Sequence, residues 1–166
     1  MTFRFYSLLC VMTLSLLATM GSAQAVTYIA DDVSGIWTSA DPASAASGLG
    51  TNEIRWGTPA TSHGQSGYRF DNATPPPVVG NVGDTFVLGT FTHMNWPITG
   101  TAITSAELSV SFDLTIDGVI FNDRVFSYMF EHEETPNSLP DPRDIVTFVG
   151  ASAEQTVFAN GKNYTV

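Results

Sequence analysis

His63, His93 and His132 are the side chains of this 166-residue chain that titrate closest to neutrality. Two of them lie among other polar groups. His93 belongs to Thr92-His93-Met94-Asn95, ahead of Trp96-Pro97-Ile98, and His132 precedes Glu133-Glu134-Thr135-Pro136-Asn137. Imidazole and carboxylate both ligate divalent ions, so these histidines with nearby carboxylates could converge on a metal. A metal-dependent hydrolase would draw on His93, His132 and Glu134. The spacing contains neither H-x-H nor H-E-x-x-H, so it identifies no metal. The plainer expectation is structural: His93 and Asn95 bond loop backbone, and His132 is a partly buried partner.

The acids offer calcium an oxygen-rich alternative. Candidates are Asp31-Asp32, Asp117 with Asp123, and Glu131–Glu134 with Asp141 and Asp144, but no D-x-D-x-D-G loop occurs. Dispersed acids ordinarily form a solvated face, so no cofactor is expected, with calcium possible at these acids. No G-x-S-x-G elbow marks a serine nucleophile. A glycosidase needs two facing carboxylates, which spacing along strands cannot reveal. No catalytic residue is assigned, and a non-enzymatic protein is expected. Trp96, beside Pro97, is the best-placed of Trp37, Trp56 and Trp96 to stack on a sugar. With His93 and His132 it would form the site of a carbohydrate-binding module, the alternative reading.

These side chains must be positioned by strands. Runs rich in Val, Ile, Phe, Tyr and Thr recur between clusters of Gly, Pro, Asn and Asp. From Ala106 to Ile116 apolar and polar residues alternate without interruption, the period of a half-buried strand. Asp117-Gly118 follows, a dipeptide suited to a type I′ hairpin turn. Val119-Ile120-Phe121 leaves the turn, and Asn122-Asp123 marks a bend. Val125–Glu133 then places Phe126, Tyr128, Phe130 and His132 on one face. Further strands are expected near Tyr28, Ile36-Trp37, Ile54–Trp56, Tyr68–Phe70, Phe86–Phe91, Ile145–Phe148, Thr156–Phe158 and Asn163–Val166. Ala40–Gly50 reads as a surface loop, and Asn72–Gly80, with three prolines, as an extended connector. No helical period is long enough to assign. The expected fold is all-β, a single antiparallel β-sandwich of jelly-roll type. Its last strand, begun after Asn160-Gly161, reads as cut short, with an edge left unpaired.

Composition narrows the classes further. Sixteen acidic residues face six basic ones, a net charge of −10 that repels phosphate and argues against nucleic acid or an anionic membrane. With 43% hydrophobic residues and only 13% charged, the chain can build a core. Residues 1–25 read as a signal peptide: Arg4, an apolar run from Phe5 to Met20, then Ala23-Gln24-Ala25 as an A-x-A cleavage pattern. Cleavage removes Arg4 and Cys10 and leaves residues 26–166 as the domain. That product carries a net charge of −11 and no cysteine. No second apolar stretch is long enough to span a membrane, so an extracellular or cell-surface location is expected.

Phe91-Thr92-His93-Met94-Asn95-Trp96-Pro97-Ile98 resembles the signature of the THxN family, which overlaps the choice-of-anchor K domain. Other segments agree in order: Trp56-Gly57-Thr58-Pro59, Gln65–Phe70, Phe86–Thr90, Glu134-Thr135-Pro136-Asn137 and Asp144–Phe148. The resemblance implies a bacterial secreted β-rich domain, often carrying a sorting tail of the PEP-CTERM type. Its partners would be extracellular polysaccharide or other surface proteins. It implies no catalytic residues, and it makes Thr92, His93, Asn95, Pro97, Glu134, Thr135 and Asn137 a motif expected to be structural. The sequence has no Pro-Glu-Pro followed by an apolar span and arginines.

Overall fold

The computed structural model describes residues 10–15, 17–18 and 26–166. The expected cleavage pattern at Ala23–Ala25 lies outside the described residues. Two short strands come first, β1 (Cys10–Ser15) and β2 (Leu17–Ala18). Then follow β3 (Thr27–Asp41), β4 (Ala46–Ser47), β5 (Glu53–Trp56), β6 (Thr58–Pro59), β7 (Ser66–Asn72) and β8 (Val78–Asn81). The second half holds β9 (Thr85–Met94), β10 (Ile98–Thr99), β11 (Ser105–Ile116) and β12 (Val119–Glu133). It closes with β13 (Ile145–Ala151), β14 (Thr156–Ala159) and β15 (Lys162–Thr165). Among the described residues no helix is long and apolar enough to cross a membrane.

Two five-stranded antiparallel sheets carry the fold, one ordered β1-β9-β7-β5-β4 and the other β13-β12-β11-β3-β8. Aromatic rings join them face to face. Trp37 of β3 meets Tyr68 of β7 at 5.2 Å and Phe91 of β9 at 5.7 Å between centroids. Phe91 also stacks on Phe130 of β12 at 5.0 Å, and Tyr28 meets Phe86 at 4.7 Å. Each ring removes a large apolar area from water and fixes the sheets' separation by its width. The molecule is therefore an antiparallel β-sandwich, the architecture that the alternating sequence predicts. Strand β11 buries every second residue, from Ala106 through Ile116, as its alternation requires.

Local departures have local causes. Strand β3 runs unbroken for 15 residues where two separate strands are expected, because β11 pairs along its length across two register shifts. Asn122-Asp123 does not end a strand. It forms a bulge in β12 opposite Phe112–Leu114, with Asp123 at φ 53° and its N–H donating to Asp113 Oδ1 at 2.9 Å. The Asp113 carboxylate supplies the acceptor that the broken ladder no longer provides. The proline run does act as a connector, but Val78–Asn81 beyond it pairs with β3. Ala40–Gly50 likewise contains a single 3-10 turn, Ala43–Ala45, and the two residues of β4. Strand β15 pairs with β14 on one side and on the other with β2, which lies within the segment expected to be cleaved. Asp117-Gly118 and Asn160-Gly161 both adopt φ near +48° and +80°, the paired positive values of a type I′ turn.

Candidate functional site

Two histidines point into the space between the sheets. On β12 the inward series Phe126, Tyr128, Phe130 continues to His132, which is 5% exposed. On β9 the series is less regular. Phe86 and Leu88 point inward, then the phase shifts at Gly89, so that Phe91 and His93 are buried while Thr90 and Thr92 are not. Opposite this point the pairing with β1 slips between Thr90 and Val87, which places an extra residue on β9. Gly89 lies against the Phe70 ring, and a Cβ there would fall 2.3 Å from Phe70 Cζ. Without the phase shift at Gly89, His93 would face outward.

His93 thus comes from one sheet and His132 from the other. Asp144, immediately before β13, completes the group: one ligand atom from each of the three lies within 4.8 Å of the others. His93 Nε2 is 3.5 Å and His132 Nε2 4.0 Å from Asp144 Oδ2. Their side chains are 7%, 0% and 1% exposed respectively, and Glu134 Oε2 stands 3.4 Å from His132 Nε2. At 3.5 Å and without suitable geometry, His93 Nε2 and Asp144 Oδ2 attract but form no hydrogen bond. Both atoms are buried without a hydrogen-bond partner.

The surrounding residues hold this group in place. Thr135 donates both its backbone N–H (2.9 Å) and its hydroxyl (3.0 Å) to Asp144 Oδ1, which turns Oδ2 toward the histidines. Burial alone would raise the Asp144 carboxyl. The His93 imidazole, the Thr135 N–H and the His132 ring outweigh it and hold the group below the usual carboxylate range. Tyr68 Oη lies 2.7 Å from His132 Nδ1. Burial, with Asp144 and Glu134 nearby, pushes the Tyr68 phenol far above its usual value, so it stays protonated and can donate to Nδ1 or accept from it, according to the imidazole tautomer. Trp56 closes the group, stacked on His93 at 6.3 Å and edge-on to His132 at 5.0 Å.

The other predicted residues occupy the loops around this cluster. Asn95 donates to the Pro142 carbonyl at 3.2 Å, and Asn137 to the Ile98 carbonyl at 2.9 Å, so each ties the 92–98 segment to the 134–144 loop. The Pro97 carbonyl accepts from Ala60 N–H at 2.9 Å. Thr92 stands opposite Arg69 in the β7–β9 ladder. Trp96 is half-buried, and one indole face is covered by His63 at 4.7 Å. Ser66 both accepts from Trp96 N–H (3.1 Å) and donates to Trp96 O (2.8 Å). Of the acids considered for calcium, Asp31 accepts from Asp32 N–H and Asp117 from Asn160. Sequence reasoning placed Asp144 among dispersed acids and passed over Tyr68 and Ser66. Only an acid directly before an apolar strand hinted at Asp144.

Two imidazoles and a carboxylate could hold a divalent ion or form a buried ion-paired joint; either use links the two sheets. Compared with known proteins, the chain matches no family model and no curated protein sequence.

Proposed function

We propose that this chain is a non-enzymatic, exported β-sandwich protein of the cell surface or extracellular matrix. In this reading His93, His132, Asp144, Tyr68 and Thr135 form a structural joint between the sheets, and no substrate is turned over. The observation that carries it is burial. The three converging side chains are at most 7% exposed, and Trp56 packs over both imidazoles, whereas a hydrolytic centre must admit a substrate. Asn95 and Asn137 spend their amides on loop carbonyls around the joint. The A-x-A pattern and the resemblance to the THxN family support export, with extracellular polysaccharide or other surface proteins as partners.

Two measurements test the reading. Expressed with residues 1–166 in a Gram-negative host, the exported product should begin at Val26; a retained product beginning at Met1 would contradict export. Asp144→Asn should lower stability by about 1–3 kcal/mol, since it changes the one carboxylate that both histidines face. Hydrolysis of ester, phosphoester or glycoside substrates that disappears in Asp144→Asn while the melting temperature holds would overturn the structural assignment.

A further inference from the structure

We propose that His93, His132 and Asp144 bind one zinc ion, which staples the two sheets together. The proposal deepens the structural-joint reading and rests on it, by naming what the joint holds.

Three observations converge. The first is the accounting of buried polar atoms. Among the described residues, the buried side-chain polar atoms without a partner are Trp56 Nε1, His93 Nε2 and Asp144 Oδ2, and all three belong to this one cluster. An unpaired buried donor or acceptor costs about 1–3 kcal/mol, so natural cores rarely leave any together. An ion in contact with His93 Nε2 and Asp144 Oδ2 removes two of the three at once.

The second is spacing. Tetrahedral zinc with bonds of about 2.0–2.1 Å has ligand-to-ligand edges of roughly 3.3–3.5 Å. The separations of 3.5 Å and 4.0 Å to Asp144 Oδ2 lie at or slightly beyond those edges. Glu134 Oε2, 3.4 Å from His132 Nε2 and 23% exposed, lies beside the group but is not one of its three converging ligands. Two nitrogens with carboxylate oxygens suit zinc. Calcium demands six to eight oxygens, which this cluster does not offer.

The third is the outer ring of bonds. A metal-binding histidine usually hydrogen-bonds through its other nitrogen, and a ligating carboxylate through its other oxygen. His132 Nδ1 has Tyr68 Oη at 2.7 Å, and Asp144 Oδ1 has the two donors of Thr135. The phenol can accept as readily as donate, so His132 can free Nε2 of its proton and keep this bond. A domain without cysteine, exported to where disulfides would otherwise serve, gains from such a crosslink the restraint that a Cys pair gives immunoglobulin sandwiches.

The test uses the full exported chain, dialysed against a chelator and then titrated with Zn2+ or Co2+ alone. Expected are one Zn2+ per chain by elemental analysis, a melting temperature that rises on its addition, and intense visible bands of four-coordinate Co2+. Asp144→Asn and His93→Gln should abolish those bands. Thr135→Val should weaken Zn2+ binding by about 10–100-fold, with rescue in Thr135→Ser, and it serves should the first two variants not fold. Weak, substoichiometric metal in the wild type, or Co2+ bands that survive in all three variants, would overturn the zinc site. If Asp144→Asn still destabilises a metal-free protein, the joint stands without its ion. Stoichiometric zinc whose removal leaves the melting temperature unchanged would instead overturn the structural role.

Discussion

Ser66 shows how much one small side chain can hold. It is fully buried at the start of β7, and its hydroxyl serves both the N–H and the carbonyl of Trp96. Ser66→Ala leaves two backbone groups of the 95–98 turn unpaired beside the core, so a loss of about 1–3 kcal/mol is expected in denaturant unfolding. A change below about 0.5 kcal/mol, the size of an ordinary surface substitution, would show that water replaces the hydroxyl without cost. Asn95→Ala is milder, because it removes a single hydrogen bond, to the Pro142 carbonyl at 3.2 Å, where Ser66 makes two. About 1 kcal/mol is expected from the same measurement. Neither effect is visible in residue type. Serines and asparagines are common in this sequence, and these two matter only because the fold places a backbone group opposite each.

At the scale of the element, the strands are set by alternation and the exceptions by glycine. Gly35 lies in β3 with the Phe70 ring of the opposite sheet directly above it, and a Cβ there would meet Phe70 Cδ1 at 2.2 Å. Gly118 is different: nothing lies within 4 Å of its Cβ position, but its φ is +80°. Gly35→Ala should therefore cost about 1–3 kcal/mol by overpacking, and be partly relieved in combination with Phe70→Leu. Gly118→Ala should cost about 1 kcal/mol through backbone strain and show no such rescue. Thermal unfolding of the four variants checks both, and rescue of Gly118→Ala by Phe70→Leu would refute the distinction. The β11–β12 hairpin was legible because period-2 apolar runs flank an Asp-Gly turn. The phase slip in β9 was not legible, since one extra residue in a strand leaves no mark on composition.

For the whole molecule, pH should reveal an acid and an alkaline limit. The Asp144 carboxyl is held below its unfolded value, so its contribution is complete above about pH 4 and is lost as pH falls through the folded pKa. The Tyr68 phenol is raised mainly by burial, so its contribution is complete below about pH 10 and is lost as the unfolded chain ionises above that point. Tyr28 and Tyr128 are raised in the same direction, again chiefly by desolvation. Melting temperature should therefore fall below the acid limit and above the alkaline one. In Tyr68→Phe the alkaline fall should be shallower; an unchanged alkaline limb would show that Tyr68 is not a principal contributor.

The sequence by itself determined the fold class, because the side-chain period of two and the turn dipeptides are local properties of the chain. It also placed His132 on the face shared by Phe126, Tyr128 and Phe130, through the same alternation. Only the tertiary structure decided that His93 turns inward and that Asp144 faces both histidines, whereas Glu134 meets His132 alone. The physical reason is that this cluster is assembled across two sheets from residues 93, 132 and 144. Its geometry depends on sheet separation, a bulge and one loop, none of which is encoded in the spacing of its members.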